Sequence, residues 1–381
     1  MIDFKRNWED GDLQLFRKSV ERFMKEEVQP GDEHAREQGH VGHALWRKAG
    51  ELGLLCTDIP VEYGGAGGDL RHEAIIGEEL YRRSLTGMNV AVHSIVAHYL
   101  LNHGTLAQKE KWLPRMARGE IVGAIAMTEP GAGSDLQGVR LRATREGDSW
   151  VLNGTKTFIS NGFLAGLVLV VARTDPAGGS KGLSIIVVET AELPGYRVGR
   201  LLDKIGMKAQ DTAELFFDDV RVPAENLLGL EPGHGFRQLM SDLSYERLLI
   251  GVNALAMMEG AYESTLEYVR ERRAFGKSVA DFQNTRFKLA EIATQIQVGR
   301  AFIDRCVQMQ VAGELDATTA SMAKLWASEA LGRTVDECVQ LFGGYGYMNE
   351  YLIGRMYVDT RIQRIYGGTS EIMKEVIARA L

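Results

Sequence analysis

The runs Leu167-Val-Leu-Val-Val-Ala172, Leu183-Ser-Ile-Ile-Val-Val188 and Ala213-Glu-Leu-Phe-Phe217 decide the architecture. They carry the β-branched and aromatic residues that favour strands, and Pro176, Pro194 and Pro223 punctuate them. Just upstream, Trp150-Val-Leu-Asn-Gly-Thr-Lys-Thr-Phe-Ile159 has the same character, with hairpin-turn chemistry at Asn153-Gly154. On either side the pattern is helical. Leu13, Phe16, Val20 and Phe23 mark one amphipathic helix, and Trp46, Ala49 and Leu52 another. Gly64-Gly-Ala-Gly-Gly68 reads as a loop between helices. Residues 287–310 and 317–341 are long enough for an antiparallel bundle. The order is therefore helical (1–119), β (120–232), helical (233–381), an α+β chain rather than a parallel βαβ series.

Composition excludes several function classes. The 381 residues are 45% hydrophobic and 25% charged, an ordinary globular balance. Net charge is −7 without a Lys/Arg-rich block, which argues against nucleic-acid binding. Cys56, Cys306 and Cys338 are too far apart for a disulfide framework or Cys-pair metal site, and read as buried small hydrophobes. His93, His98 and His103 share a segment without a companion ligand cluster, so no metal is expected. No apolar run is long enough to span a membrane. The first ten residues lack a signal peptide's apolar core and are too acidic for a typical transit sequence. A cytoplasmic location is expected, or the mitochondrial matrix if a transit peptide is missing from this chain.

One carboxylate stands out. In Phe236-Arg-Gln-Leu-Met-Ser-Asp-Leu-Ser-Tyr-Glu-Arg-Leu-Leu-Ile-Gly-Val252, Leu239, Leu243 and Ile250 recur at helical spacing, and Glu246 falls on the same stripe. A charge there is paired, neutralised or chemically employed. The pattern alone leaves a structural ion pair and a catalytic base equally open.

The glycine-rich loops are individually weak signals. Gly131-Ala-Gly-Ser-Asp-Leu136 lacks the third glycine and the βαβ setting of a dinucleotide fingerprint. Its backbone N–H groups can still cradle phosphate or a flavin edge. Gly343-Gly-Tyr-Gly-Tyr347 follows a long helix and reads as its terminating turn. Gly367-Gly-Thr-Ser370 precedes a last helix ending near Ala378, with Thr369 or Ser370 as N-cap.

Taken in order, these segments resemble the acyl-CoA dehydrogenase family. The matching motifs are Ala126-Met-Thr-Glu-Pro-Gly-Ala-Gly-Ser-Asp135, Lys156-Thr-Phe-Ile-Ser-Asn-Gly162, Arg272-Arg-Ala-Phe-Gly-Lys277, Asp281-Phe-Gln283, Gln340-Leu-Phe-Gly-Gly-Tyr-Gly-Tyr347 and Ile365-Tyr-Gly-Gly-Thr-Ser-Glu-Ile372. The resemblance covers essentially the whole chain. It is strongest to the long-chain and branched-chain members, through Lys208-Ala-Gln-Asp-Thr-Ala-Glu-Leu-Phe-Phe217 and Tyr245-Glu-Arg-Leu-Leu-Ile250. It implies an N-terminal helical domain, a middle β-barrel-like domain and a C-terminal four-helix bundle. It also implies FAD bound across a subunit interface in a homotetramer, a dimer of dimers. Met127, Thr128, Ser134, Phe158 and Ser160 would meet the cofactor from one subunit. Arg272, Phe275, Gln283, Gln340, Gly343 and Gly344 would reach the neighbour's FAD, with Thr369 and Glu371 nearby. Phe158 stands where the family often has Trp, which keeps the packing but loses the indole donor.

Many members place the catalytic glutamate directly after the tyrosine of the last motif; here Tyr366 is followed by Gly367. Long-chain and isovaleryl-type members carry the base where Glu246 sits, so the resemblance makes Glu246 the base. Burial would raise its pKa toward working pH. The implied reaction takes an acyl-CoA to a trans-2-enoyl-CoA. Gly367 N–H and a ribityl hydroxyl would polarise the thioester, hydride would go to flavin N5, and electrons to electron-transferring flavoprotein. Ser134, Ser244, Arg247, Gly367 and Gly368 are the expected substrate contacts. Chain-length selection is expected from residues 88–98 and from Gly251 and its neighbours. An oxygen-using oxidase and a non-enzymatic flavin-binding scaffold are the alternatives, and the retained Glu246 argues against the scaffold.

Overall fold

The computed structural model describes residues 4–381. Six helices open the chain: α1 (Gly11–Phe23), α2 (Asp32–Gln38), α3 (His43–Glu51), α4 (Leu70–Arg82), α5 (Val90–His103) and α6 (Leu106–Ala117). Side-chain caps set four of their starts: Asp10, Asp69, Asn89 and Thr105 each accept a backbone N–H of the first turn. α1 buries Leu13, Val20 and Phe23, the stripe read from its sequence.

Seven strands follow: β1 (Val122–Ala126), β2 (Arg142–Glu146), β3 (Ser149–Ser160), β4 (Ala165–Arg173), β5 (Leu183–Glu189), β6 (Tyr196–Leu201) and β7 (Thr212–Pro223). They form one sheet in the order β1-β4-β2-β3-β7-β6, with β5 also paired to β4. β4 explains the unbroken apolar run. Its Val168, Val170 and Ala172 face the sheet's own core with Leu152 and Leu215. Its Leu167, Leu169 and Val171 join the helical core. A strand buried on both faces has no polar side to alternate with.

One local expectation fails here. Asn153-Gly154 is not a hairpin turn but lies inside β3, at a register shift between Leu152 and Gly154 against β7. A Cβ on Gly154 would come within 2.9 Å of Leu141, so the glycine admits a close backbone approach at a bulge. The β2–β3 turn falls instead at Gly147, with φ +58°.

The C-terminal part comprises α7 (Gly235–Glu271), the short hairpin β8 (Arg273–Ala274) and β9 (Lys277–Ser278), then α8 (Gln283–Val311), α9 (Ala317–Phe342), α10 (Leu352–Asp359) and α11 (Ser370–Ala378). α7 is the axle of the molecule, packed against α4, α5, α8, α9 and β5. It has little polar face to offer: Glu246, Arg247, Asn253 and Glu259 are all buried along it. Glu259 is matched by Arg6, Arg82 and Arg300, and Glu78 of α4 by Arg6, Arg17 and Arg300. Several partners per charge are what burial demands. The network ties the N-terminal helices to α7 and α8.

All three cysteines are free and buried. Among the described residues no helix is long and apolar enough to cross a membrane.

Candidate active site

Glu246 is 7% exposed, and burial lifts its carboxyl from 4.5 to about 7. Tyr99 of α5 donates its hydroxyl hydrogen to Glu246 Oε1 across 2.9 Å, which favours the ionised form. Asp242, one turn back, opposes that, and Arg247 favours it weakly. Asp242 is itself held by Asn102 Nδ2 at 2.6 Å and His103 Nε2 at 2.9 Å. On the residue before Glu246, Tyr245 donates to Asp58 Oδ2, which also meets His98 Nε2, both at 2.8 Å. α5 therefore braces the Glu246 stretch of α7 with Tyr99, Asn102, His98 and His103. The histidine spacing did not reveal that role. Only His93 is a satisfied core residue, receiving Gly123 N–H at Nδ1 and lying 3.2 Å from the Met116 carbonyl.

The loop expected to touch the thioester lies against the same helix. Gly367 and Gly368 have φ of +62° and +94°, in the left-handed region that favours glycine. A Cβ on Gly367 would stand 2.4 Å from Ile250 Cδ1, so a side chain there competes with α7 for space. Arg247 borders this loop. Its Nη2 lies 3.9 Å from where a Gly368 Cβ would be, and its Nη1 donates to Ser321 Oγ at 3.1 Å. Lys324 of α9, unremarked in the sequence, donates from Nζ to the Gly368 carbonyl at 2.6 Å. Burial pushes its ammonium down to about 8, with Arg247 adding to the effect. Ser244 is half-buried one turn before Arg247 and Leu248. Thr369 caps α11, accepting Ile372 N–H, and Glu371 is exposed.

The expected cofactor residues form two exposed groups. In the first, Thr128 is bonded to the sheet through Thr157 N–H to Thr128 O at 2.9 Å. Buried Lys156 donates to Met127 O at 3.0 Å and to Glu129 at 2.9 Å, while Glu129 accepts the N–H groups of Arg140 and Leu141. This buried pair clamps the loop that carries Ser134 outward. Phe158 is 67% exposed at φ +59°, where β3 slips register between Lys156 and Ile159. Ser160 Oγ accepts from Gln210 at 2.9 Å.

In the second group, Phe275 and Gly276 both have positive φ (+51° and +79°) at the β8–β9 tip, as a two-residue hairpin turn requires. Phe275 is 95% exposed. Arg272 lies over the Tyr345 ring at 5.5 Å and has no carboxylate partner among the described residues. Gln283 opens α8, and Gln340, Gly343 and Gly344 close α9, all exposed. Open space surrounds Gly131, Gly133, Gly343 and Gly344. Hydroxyls, a guanidinium without a carboxylate partner among the described residues, exposed aromatic rings and open glycine loops are a set suited to a flavin dinucleotide.

Of the expected chain-length elements, Met88, Val90 and Ala91 line a small cavity together with α4 and α7. Gly251 does not. A Cβ there would meet Ile303 and Ala323, so it faces α8 and α9.

This fold and constellation define the acyl-CoA dehydrogenases, and sequence comparison agrees. The family's N-terminal, middle and C-terminal domains match residues 10–120, 124–220 and 233–381. The chain belongs to the acyl-CoA dehydrogenase family, whose members are flavin-dependent oxidoreductases. It is 52% identical to the mitochondrial long-chain specific acyl-CoA dehydrogenase of Rattus norvegicus, over 96% of this chain and 86% of that one. The crystal structure of an acyl-CoA dehydrogenase from Geobacillus kaustophilus superposes with a TM-score of 0.95 at 42% identity, covering 99% of each chain. A glutaryl-CoA dehydrogenase from Mycobacterium smegmatis, solved in complex with FADH2, gives 0.91 at 30% identity over 97% of this chain and 94% of that one.

Proposed function

We propose that this chain oxidises long-chain or branched acyl-CoA thioesters to trans-2-enoyl-CoA, with Glu246 as general base. The observation that carries this is the buried Glu246 carboxyl, raised to about 7 beside the Gly367–Gly368 loop. A base with that pKa is half ionised near neutral pH and takes a proton efficiently. The 52% identity to a long-chain specific enzyme supports the substrate class.

Each residue has a derived task. Glu246 removes the α-proton at its carboxylate oxygen. Gly367 N–H polarises the thioester carbonyl and stabilises the developing enolate. Lys324, through the Gly368 carbonyl, holds that N–H in place. Arg247 keeps a positive charge beside the carbonyl loop. Bound FAD supplies the acceptor for the β-hydride, and reduced enzyme passes electrons to electron-transferring flavoprotein. Thr128, Ser134, Phe158 and Ser160 hold the flavin from one subunit, and Arg272, Phe275, Gln283 and Gln340 from its neighbour, in a homotetramer. Exposure of Phe275 at a positive-φ turn supports that assembly, because such a strained apolar tip is retained where a partner uses it.

Anaerobic mixing with palmitoyl-CoA tests the reading. The expected result is single-turnover bleaching of bound flavin, lost in Glu246→Gln. Rapid bleaching in that variant would reject Glu246 as the base. Reoxidation by oxygen faster than by electron-transferring flavoprotein would reject the acceptor.

A further inference from the structure

Beyond the base, along the same helix, lies a small cavity whose polar lining is unexpected in an acyl site. It has room for about one water-sized group and is bounded by Glu73, Gly77 and Tyr81 of α4, Met88, and Leu249 and Asn253 of α7. Leu249 and Asn253 follow Glu246 by three and seven residues, so they share its face of the helix. Asn253 sits two turns on, about 10 Å along the axis at 1.5 Å per residue.

The floor is short of hydrogen. Asn253 is 3% exposed, and its Oδ1 has no hydrogen-bond partner in the protein. Oδ1 packs against Gly77, where a Cβ would stand only 2.3 Å from it, so it is the glycine that admits the amide oxygen beside the cavity. Glu73, also buried, accepts from Thr57 N–H and Thr57 hydroxyl at Oε1 but only from Ser94 hydroxyl at Oε2. Burial lifts this carboxyl to about 7, and in its ionised form Oε2 keeps accepting capacity. The Glu73 carboxyl and the Asn253 amide thus line a cavity whose other walls are mostly apolar, with Leu80, Met88 and Leu249 beside Tyr81. A methyl terminus arriving there leaves Asn253 unpaired, at a cost; a hydroxyl supplies the missing donor.

We propose that this cavity is a hydroxyl-accepting subsite for the far end of the acyl chain, so that the substrate is an acyl-CoA carrying a hydroxyl at or near its terminus. This rests on the dehydrogenase reading above and narrows its substrate class.

The test uses the holoenzyme with ω-hydroxyoctanoyl-, ω-hydroxydecanoyl- and ω-hydroxydodecanoyl-CoA, each against the plain acyl-CoA of equal length. kcat/KM is measured for each pair, and calorimetric Kd for the corresponding 2-enoyl-CoAs, which reads the subsite without turnover. At the length that reaches Asn253, the hydroxylated member should lead by about tenfold or more in both. Asn253→Leu should reverse the order. Gly77→Ala, which places a methyl group in front of Oδ1, should abolish the preference. Plain chains equal or superior at every length in the wild type would overturn the proposal and mark the cavity as a site for one water. So would a preference unchanged in Asn253→Leu. If hydroxylated enoyl-CoAs bound preferentially but no acyl-CoA bleached the flavin, the subsite would stand and the dehydrogenase reading would fall.

Discussion

The Tyr99 hydroxyl and the Glu246 carboxylate, 147 residues apart in sequence, meet at 2.9 Å inside the protein. Burial raises Glu246 and this hydrogen bond restrains the rise. Tyr99→Phe removes the restraint with almost no change in volume. A hydrogen bond to a charged group contributes about 1.5–3 kcal/mol, so the acid limb of kcat/KM should move up by about one to two pH units. Activity at neutral pH should fall, while activity well above the limb stays near wild type. An unmoved limb would mean that the proton titrating there belongs to another group.

The same burial predicts a pH-dependent stability. Folded Glu246 holds its proton to about pH 7, whereas the unfolded side chain releases it near 4.5. Between those values the folded state binds the extra proton, so rising pH costs stability, about 3 kcal/mol in all at about 1.4 kcal/mol per pH unit. Glu246→Gln has no proton to lose. Its Tm should exceed that of wild type at about pH 8, and the gap should close as pH falls toward about 5. A gap of constant size across that range would show that Glu246 does not titrate as described.

The site was only partly legible in the sequence. Glu246 showed itself because it breaks an apolar stripe, and the β insert because β4 and β5 are buried on both faces. Asn153-Gly154 misled because a glycine admitting Leu141 at a bulge has the same local chemistry as a hairpin turn. Tyr99, Asn102, His103 and Lys324 left no local signal. Their work is done by contacts made across the fold, which a linear pattern does not encode. Arg247 diverges from its helical neighbour Glu246, toward Ser321, yet stays buried because α7 is enclosed on nearly every side.

Arg272 should report on assembly. Its guanidinium lies over Tyr345 with no carboxylate partner among the described residues, at the edge of the exposed hairpin. We expect Arg272→Ala to weaken FAD binding about tenfold or more, the loss of one charge-assisted contact. Flavin content after gel filtration and light scattering on the same peak check this. A monomeric, fully flavinated wild type would reject a site shared between subunits.

The last prediction moves the base. Related enzymes place a glutamate where Gly367 stands, so Glu246→Gln/Gly367→Glu is the natural rescue variant. The structure sets two obstacles. Gly367 has φ +62°, which strains any L side chain, and its Cβ would lie 2.4 Å from Ile250 Cδ1. The double variant should therefore reduce flavin little better than Glu246→Gln alone. Ile250→Val deletes the obstructing Cδ1 atom and leaves the rest of the side chain packed. The triple variant should recover part of the roughly 10²–10⁴-fold general-base contribution. Recovery stays incomplete because the backbone strain remains. Single-turnover anaerobic bleaching of all three variants decides the matter. Full rescue in the double variant would show that Ile250 does not guard position 367; failure of the triple variant, with flavin content intact, would show that strain alone keeps a base out.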